Sequence, residues 1–134
     1  MPRRQKYLDS HYSEWQYIDM QDKDADALLP LPAPFFQILV ALAAGDAHGY
    51  AIMQDVEERT NGKLRLSPGT LYGSIKRMLE LGLLQEARRK AGEDERRRAY
   101  KITDLGKRTA RAEAARMAET LRYAKASGLT PHEA

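Results

Sequence analysis

Apolar positions along the chain follow two rhythms, one of helices and one of a hairpin. From Phe35 to Ala44 nearly every residue is apolar, and Phe36, Ile38, Leu39, Val40 and Leu42 leave no polar face. That pattern predicts a first helix over Pro34–Ala44, buried on most sides and ended by Gly45. Pro30, Pro32 and Pro34 stand at alternate positions. They hold the preceding backbone extended, and Pro34 suits a first helical position. A second helix is expected from Ala47 to Thr60, capped by Asp46, with Tyr50, Ile52, Met53 and Val56 inward and Gln54, Asp55, Glu57, Glu58 and Arg59 outward. Asn61-Gly62 stops it. Leu64-Arg65-Leu66 alternates and reads as a short edge strand. Ser67-Pro68 is an N-cap followed by a first-turn proline, opening a third helix from Pro68 to Leu81. Leu71, Ile75, Met78 and Leu79 form its buried stripe, and Gly82 ends it.

The second rhythm is a period of two. Leu83–Arg89 and Arg98–Thr103 read as the strands of a hairpin whose polar tip spans 90–96. Tyr100 and Ile102 share its inward face, with Ala99 and Lys101 opposite. A long helix follows, about Asp104–Ser127, capped by Thr103 and ended by Gly128. Ala110, Ala114, Met117, Leu121 and Ala124 repeat along it in a narrow heptad-like seam. A small domain offers such a seam little to pack on, so a partner chain is its expected contact; docking on the chain's own first helix is the competing reading. Residues 1–28 read as a polar arm: Tyr12, Trp15 and Ile18 or Asp19 fall near the spacing of a short helix, Asp22–Asp26 reads as solvent-exposed, and Trp15 is expected to tether the arm to the domain or to a partner subunit. The expected organisation is thus arm (1–28), domain proper (29–103), and C-terminal helix with tail (104–134).

Three helices, a hairpin and a last helix make a mainly α fold with a small β-hairpin. This is the plan of a winged helix-turn-helix with an added C-terminal dimerisation helix. In that fold the third helix enters the major groove of double-stranded DNA, and the hairpin reaches the backbone or minor groove.

Composition narrows the picture. At 134 residues the chain is the size of one domain. With no cysteine it has no disulfide, thiolate metal site or thiol nucleophile, which agrees with an intracellular, cytoplasmic placement. No apolar run approaches the ~20 residues a membrane helix needs. The basic start, Arg3-Arg4-Gln5-Lys6, lacks an apolar stretch after it, so no secretory signal is expected. The net charge of +3 hides an asymmetry: residues 1–61 hold 5 Lys/Arg against 10 Asp/Glu, and residues 62–134 hold 17 against 9. A basic C-terminal part points to a polyanionic partner.

The candidate site lies on the third helix and the hairpin. Gly69, Thr70, Gly73, Lys76 and Arg77 fall away from the apolar stripe, and Tyr72 sits at its edge, where its hydroxyl can meet a phosphate. A glycine inside a helix costs about 1 kcal/mol relative to alanine, so Gly73 suits close approach to a groove floor or another chain. Ser67, Gly69 and Thr70 form a first turn whose backbone N–H groups can face a phosphate. Arg88, Arg89 and Lys90 climb one side of the hairpin, and Arg96, Arg97 and Arg98 descend the other, around Glu93, Asp94 and Glu95. Concentrated like charge repels itself unless a polyanion neutralises it. Cross-hairpin ion pairs would explain little, because exposed pairs contribute only ~0–1 kcal/mol.

His48-Gly49-Tyr50, Pro68-Gly69-Thr70-Leu71-Tyr72, Lys76-Arg77-Met78, Gly82-Leu83-Leu84 and Arg98-Ala99-Tyr100-Lys101-Ile102-Thr103-Asp104-Leu105-Gly106, in that order and spacing, resemble the PadR family of transcriptional regulators over about residues 29–127. The resemblance implies a homodimer joined through the C-terminal helix, often helped by N-terminal segments. It implies repression by operator binding, relieved by a small-molecule effector in some members. By position it puts the DNA-facing residues at Tyr72, Lys76 and the wing arginines, and gives His48 and Tyr50 a mainly structural role before the second helix. The arm ahead of Leu29 is longer than the family minimum, and the short, alanine-rich last helix resembles the subgroup with a small C-terminal domain. Some relatives hold flat aromatic ligands with a tryptophan near the dimer interface; here the only tryptophan is Trp15, in the arm.

Catalysis is not expected: there is no phosphate-cradling glycine loop, no paired-histidine zinc motif and no nucleophile elbow. His11, His48 and His132 stand far apart, and no metal or cofactor is expected. The alternative to DNA binding is a winged-helix adaptor that docks an acidic protein. Salt dependence separates the two, because a DNA binder loses affinity steeply as salt rises.

Overall fold

The computed structural model describes residues 22–88 and 97–130. Its elements in chain order are α1 (Lys23–Asp26), α2 (Ala33–Ala43), β1 (Ala47–His48), α3 (Gly49–Arg59), α4 (Pro68–Glu80), β2 (Leu84–Glu86), β3 (Ala99–Ile102) and α5 (Asp104–Ala126). The strands form one antiparallel sheet in the order β1-β3-β2, with Ala47 opposite Tyr100 and Leu84 opposite Ile102. The fold is therefore mainly helical with a small sheet, as the apolar pattern predicts.

The core gathers Ile38, Leu39 and Leu42 of α2, Ile52 and Val56 of α3, Leu71, Ile75 and Met78 of α4, and Leu83, Leu84, Tyr100 and Ile102 of the wing. Each such side chain contributes about 1.5–3 kcal/mol when fully buried. Arg59 ties the end of α3 to α2, donating to the Gln37 side chain and backbone at 2.9 and 3.0 Å. Thr103 joins three elements at one point. Its hydroxyl donates to the Gly82 carbonyl after α4 (2.6 Å) and accepts from the Gly106 N–H in the first turn of α5 (3.0 Å). Gly106 is a glycine because α5 starts hard against the wing: a Cβ there would overlap the Leu83 carbonyl oxygen and lie 2.8 Å from Ile102 Cγ1.

Several local expectations are corrected. Asp46 does not cap α3: residues 47–48 form β1 against β3, and His48 holds the N-cap position without a side-chain cap bond. Leu64–Leu66 is not a strand, since the Leu64 N–H donates to Thr60 Oγ1 at 3.0 Å rather than to a neighbouring strand. The hairpin strands are shorter than the alternation suggests, β2 ending at Glu86. Tyr50 is not inward but 66% exposed. The acidic segment is not simply solvated: Ala25 is fully buried, and Asp22 pairs with Arg108 at 2.9 Å. Trp15 and the rest of residues 1–21 lie outside the described residues.

The long helix divides in two. Its first half packs on α1 and α2, with Thr109 and Glu113 buried and Ala110 against the core. Docking on the chain's own first helix thus holds for this half. From Ala114 onward the helix is largely exposed, including Met117 and Leu121 at 41% and 43%. Ala110 accordingly serves the domain's own core, and the outward part of the seam runs over Ala114, Met117, Leu121 and the half-buried Ala124.

Candidate nucleic-acid interface

Burial of Leu71, Ile75 and Met78 sets the rotation of α4 about its axis, with Ser74 also buried beside them. The opposite side is consequently outward. Ser67, Gly69, Thr70, Tyr72, Gly73, Lys76 and Arg77 are all exposed. Among the described residues a Cβ added to Gly73 would meet nothing within 4 Å, so none of them requires glycine there. The backbone of α4 is bare at the centre of its outward face.

At the start of α4 the Ser67 hydroxyl accepts the Thr70 N–H at 3.1 Å and contacts Thr70 Oγ1 at 3.1 Å. Ser67 is thus the N-cap its position suggests, and the Thr70 amide is engaged by that cap. Further along, Arg77 lies 3.3 Å from Glu80, while Lys76 is in none of the ion pairs of the described residues.

Tyr72 rests with the outer end of its ring on α3. The hydroxyl, Cζ and Cε1 all approach Gly49, the first residue of that helix. Next in the chain, Tyr50 turns outward, its hydroxyl 3.4 Å from Gln54 Nε2. Sequence reasoning placed Tyr50 inside because it falls at helical spacing with Met53; the signal for the outward position is the polar Gln54 one turn on. Behind the site, Tyr100 is buried in β3, and that burial pushes its hydroxyl pKa above the usual value.

Of the wing cations, Arg88 and Arg97 are described and exposed. Arg98 pairs with Glu86 across the strands at 3.6 Å. Arg89, Lys90 and Arg96 lie outside the described residues. The described part of the wing thus places exposed arginines on both of its sides where the strands end.

Among the described residues no group of His, Asp and Glu could hold a metal ion, and no helix is long and apolar enough to cross a membrane.

Comparison with known proteins agrees with this geometry. The model of the transcriptional regulator PadR-like family matches residues 38–112, from α2 through the first half of α5. An uncharacterized protein of Lysinibacillus sphaericus is 30% identical over 70 residues, which span 52% of this chain and 64% of that protein. A transcriptional regulator from Clostridium thermocellum superposes with a TM-score of 0.59 at 25% identity, over 68% of this chain and 88% of that one. A PadR family transcription regulator from Clostridium difficile shares the fold at a TM-score of 0.60 and 22% identity, over 70% and 96% of the two chains. Regulators of this kind bind DNA, typically as dimers, and are not enzymes. Matched over more than half of its length, the chain belongs to the PadR-like family of transcriptional regulators.

Proposed function

We propose that the chain represses transcription by occupying an inverted-repeat operator as a homodimer, with α4 in the major groove and the wing on the flanking backbone. The observation that carries this reading is the division of α4. One side is locked into the core by Leu71, Ile75 and Met78, and the other is exposed along Gly69, Tyr72, Gly73, Lys76 and Arg77. Lys76 and Tyr72 are the base- or phosphate-reaching groups, Gly73 allows close approach, and Arg88 and Arg97 contact phosphates, joined by Arg89, Lys90 and Arg96. Two chains paired through Ala114, Met117, Leu121 and Ala124 present two reading helices. Their half-sites are then related by a two-fold axis, with centres about one helical turn or more apart. Release from the operator by a small-molecule effector belongs to the same reading, on the family resemblance alone.

Selection from a random pool of duplexes tests this. Enrichment of an inverted repeat, with affinity falling steeply as salt rises, is the expected result. Failure to enrich any sequence, with salt-insensitive association, would favour the adaptor for an acidic protein instead.

A further inference from the structure

We propose that Gly49 is a positioning residue for DNA binding: its bare Cα is the seat that fixes the Tyr72 hydroxyl on the reading face of α4. This rests on the DNA-binding reading above.

Three observations meet at this point. The Cα of Tyr72 has little freedom, because the adjoining Leu71 is fully buried and Ile75 and Met78 lock the helix behind it. The side chain itself is 47% exposed, so packing alone leaves its ring end free to swing into solvent. The ring end nevertheless lies against α3: a Cβ on Gly49 would overlap the Tyr72 hydroxyl and come within 2.9 and 3.0 Å of Cζ and Cε1. Rotation about the Tyr72 side-chain bonds is thus the freedom that remains, and the seat on Gly49 removes it.

Gly49 itself has ordinary helical geometry; positive φ is confined to Asn61, Gly45, Gly62, Gly82 and Gly128 among the described residues. The demand for glycine therefore comes from the phenol and not from the backbone. An alanine there meets only the far end of a rotatable side chain, so the ring turns away and the fold stays. What is lost is preorganisation: a hydroxyl held in place meets a phosphate without first being ordered.

The test uses the full chain and a labelled duplex that the wild-type protein enriches from a random pool. Gly49→Ala, Tyr72→Ala and the double variant are titrated, with circular dichroism as a check on folding. Gly49→Ala is expected to weaken binding about tenfold in the wild-type background, as for loss of one hydrogen bond to a charged group, and less than twofold when Tyr72 is already alanine. Equal losses in both backgrounds, or no loss in either, would overturn the proposal. Tyr72→Phe gives an independent reading that does not depend on Gly49→Ala folding. It keeps the ring on its seat and is expected to lose about tenfold in affinity with an unchanged melting temperature. Wild-type affinity for Tyr72→Phe would show that no hydroxyl is being positioned. Failure of the wild-type chain to enrich any duplex would instead remove the DNA-binding reading, and this proposal with it.

Discussion

The carboxylate of Glu113, midway along α5, accepts the backbone N–H of Leu31 at 2.8 Å, joining positions 82 residues apart. Its other oxygen accepts from Arg116 Nε at 2.5 Å. Glu113 is fully buried, and Arg116 reaches it from the protein surface. Together with the Asp22–Arg108 pair and the buried Ala25, this bond clasps the segment ahead of α2 to the first half of α5. The exposed second half of α5 thereby leaves the domain in a fixed direction.

Removing the carboxylate should loosen that clasp. Glu113→Ala leaves the Leu31 N–H without its partner and opens space beside Thr109, whose hydroxyl has no hydrogen bond among the described residues. The expected cost is about 1–3 kcal/mol, the penalty for a buried donor left unsatisfied. Urea denaturation measures it, and a variant as stable as wild type would show that the bond contributes nothing.

The same group predicts a pH dependence. The hydrogen bond from Arg116, with lesser help from the Leu31 N–H, outweighs desolvation and holds the Glu113 carboxyl below the usual carboxylate range. A folded-state pKa below the unfolded one gives stability that is present above the unfolded value, about 4.3, and lost as pH falls through the folded value. Wild type is therefore expected to lose stability in acid more steeply than Glu113→Gln, which cannot titrate. Parallel melting curves for the two proteins from neutral pH into the acid range would exclude Glu113 as the source.

Gly106→Ala is expected to destabilise the domain by about 1–3 kcal/mol, the range for overpacking. The added methyl meets a backbone carbonyl, Leu83's, and Ile102 besides, so relief requires α5 to shift from the wing. Thermal unfolding checks this. Gly73→Ala is the control: its methyl meets nothing among the described residues, and an exposed helical glycine replaced by alanine should gain about 1 kcal/mol.

These particulars show which parts of the molecule local sequence carries. Ser67 and Thr103 act as the caps that their positions suggest, receiving the Thr70 and Gly106 N–H groups. Tyr100 and Ile102 face inward together, as a period of two requires. Local rules fail where a distant segment completes an interaction. β1 is two residues long and shows no alternation; it is a strand because β3 lies beside it. Glu113 looks like a surface carboxylate in an alanine-rich helix until the Leu31 amide arrives from the other end of the domain. The seam on α5 is legible as a stripe, but its division between own core and outward face depends on where α1 and α2 end. The outward residues of α4 follow directly from its apolar stripe, whereas the seat of Tyr72 on Gly49 requires α3 and α4 to be packed.

On the proposed interface, Lys76→Ala and Arg97→Ala should fail differently. Arg97 is exposed at the wing and is assigned to phosphate. Its loss should weaken enriched and mixed-sequence duplexes alike, and lower the slope of log affinity against log salt by about 0.9. Lys76 sits on the outward face of α4. Its loss should cost about 1–3 kcal/mol on the enriched duplex and relax the preference at one base position. Fluorescence anisotropy across a salt series separates the two. Equal effects of Lys76→Ala on both duplexes would remove it from base recognition.

The last prediction concerns the pairing of chains. Met117 and Leu121 stand exposed one turn apart on the largely exposed half of α5, and Tyr123 and Leu129 near its end are 68% and 69% exposed. Met117 and Leu121 share one face of the helix, and an exposed apolar stripe suits contact with a second chain. In a two-fold contact the same stripe meets itself, so Leu121→Asp places a carboxylate from each chain within one apolar seam. The variant is expected to scatter light as a 15.2 kDa monomer, against twice that mass for wild type. Its folding should be intact, because Leu121 is not in the core. Its affinity for an inverted repeat should fall towards that of a single half-site, because the two reading helices are no longer joined. A variant that remains dimeric would move the interface elsewhere, and a wild-type chain that is already monomeric at micromolar concentration would remove the paired arrangement altogether.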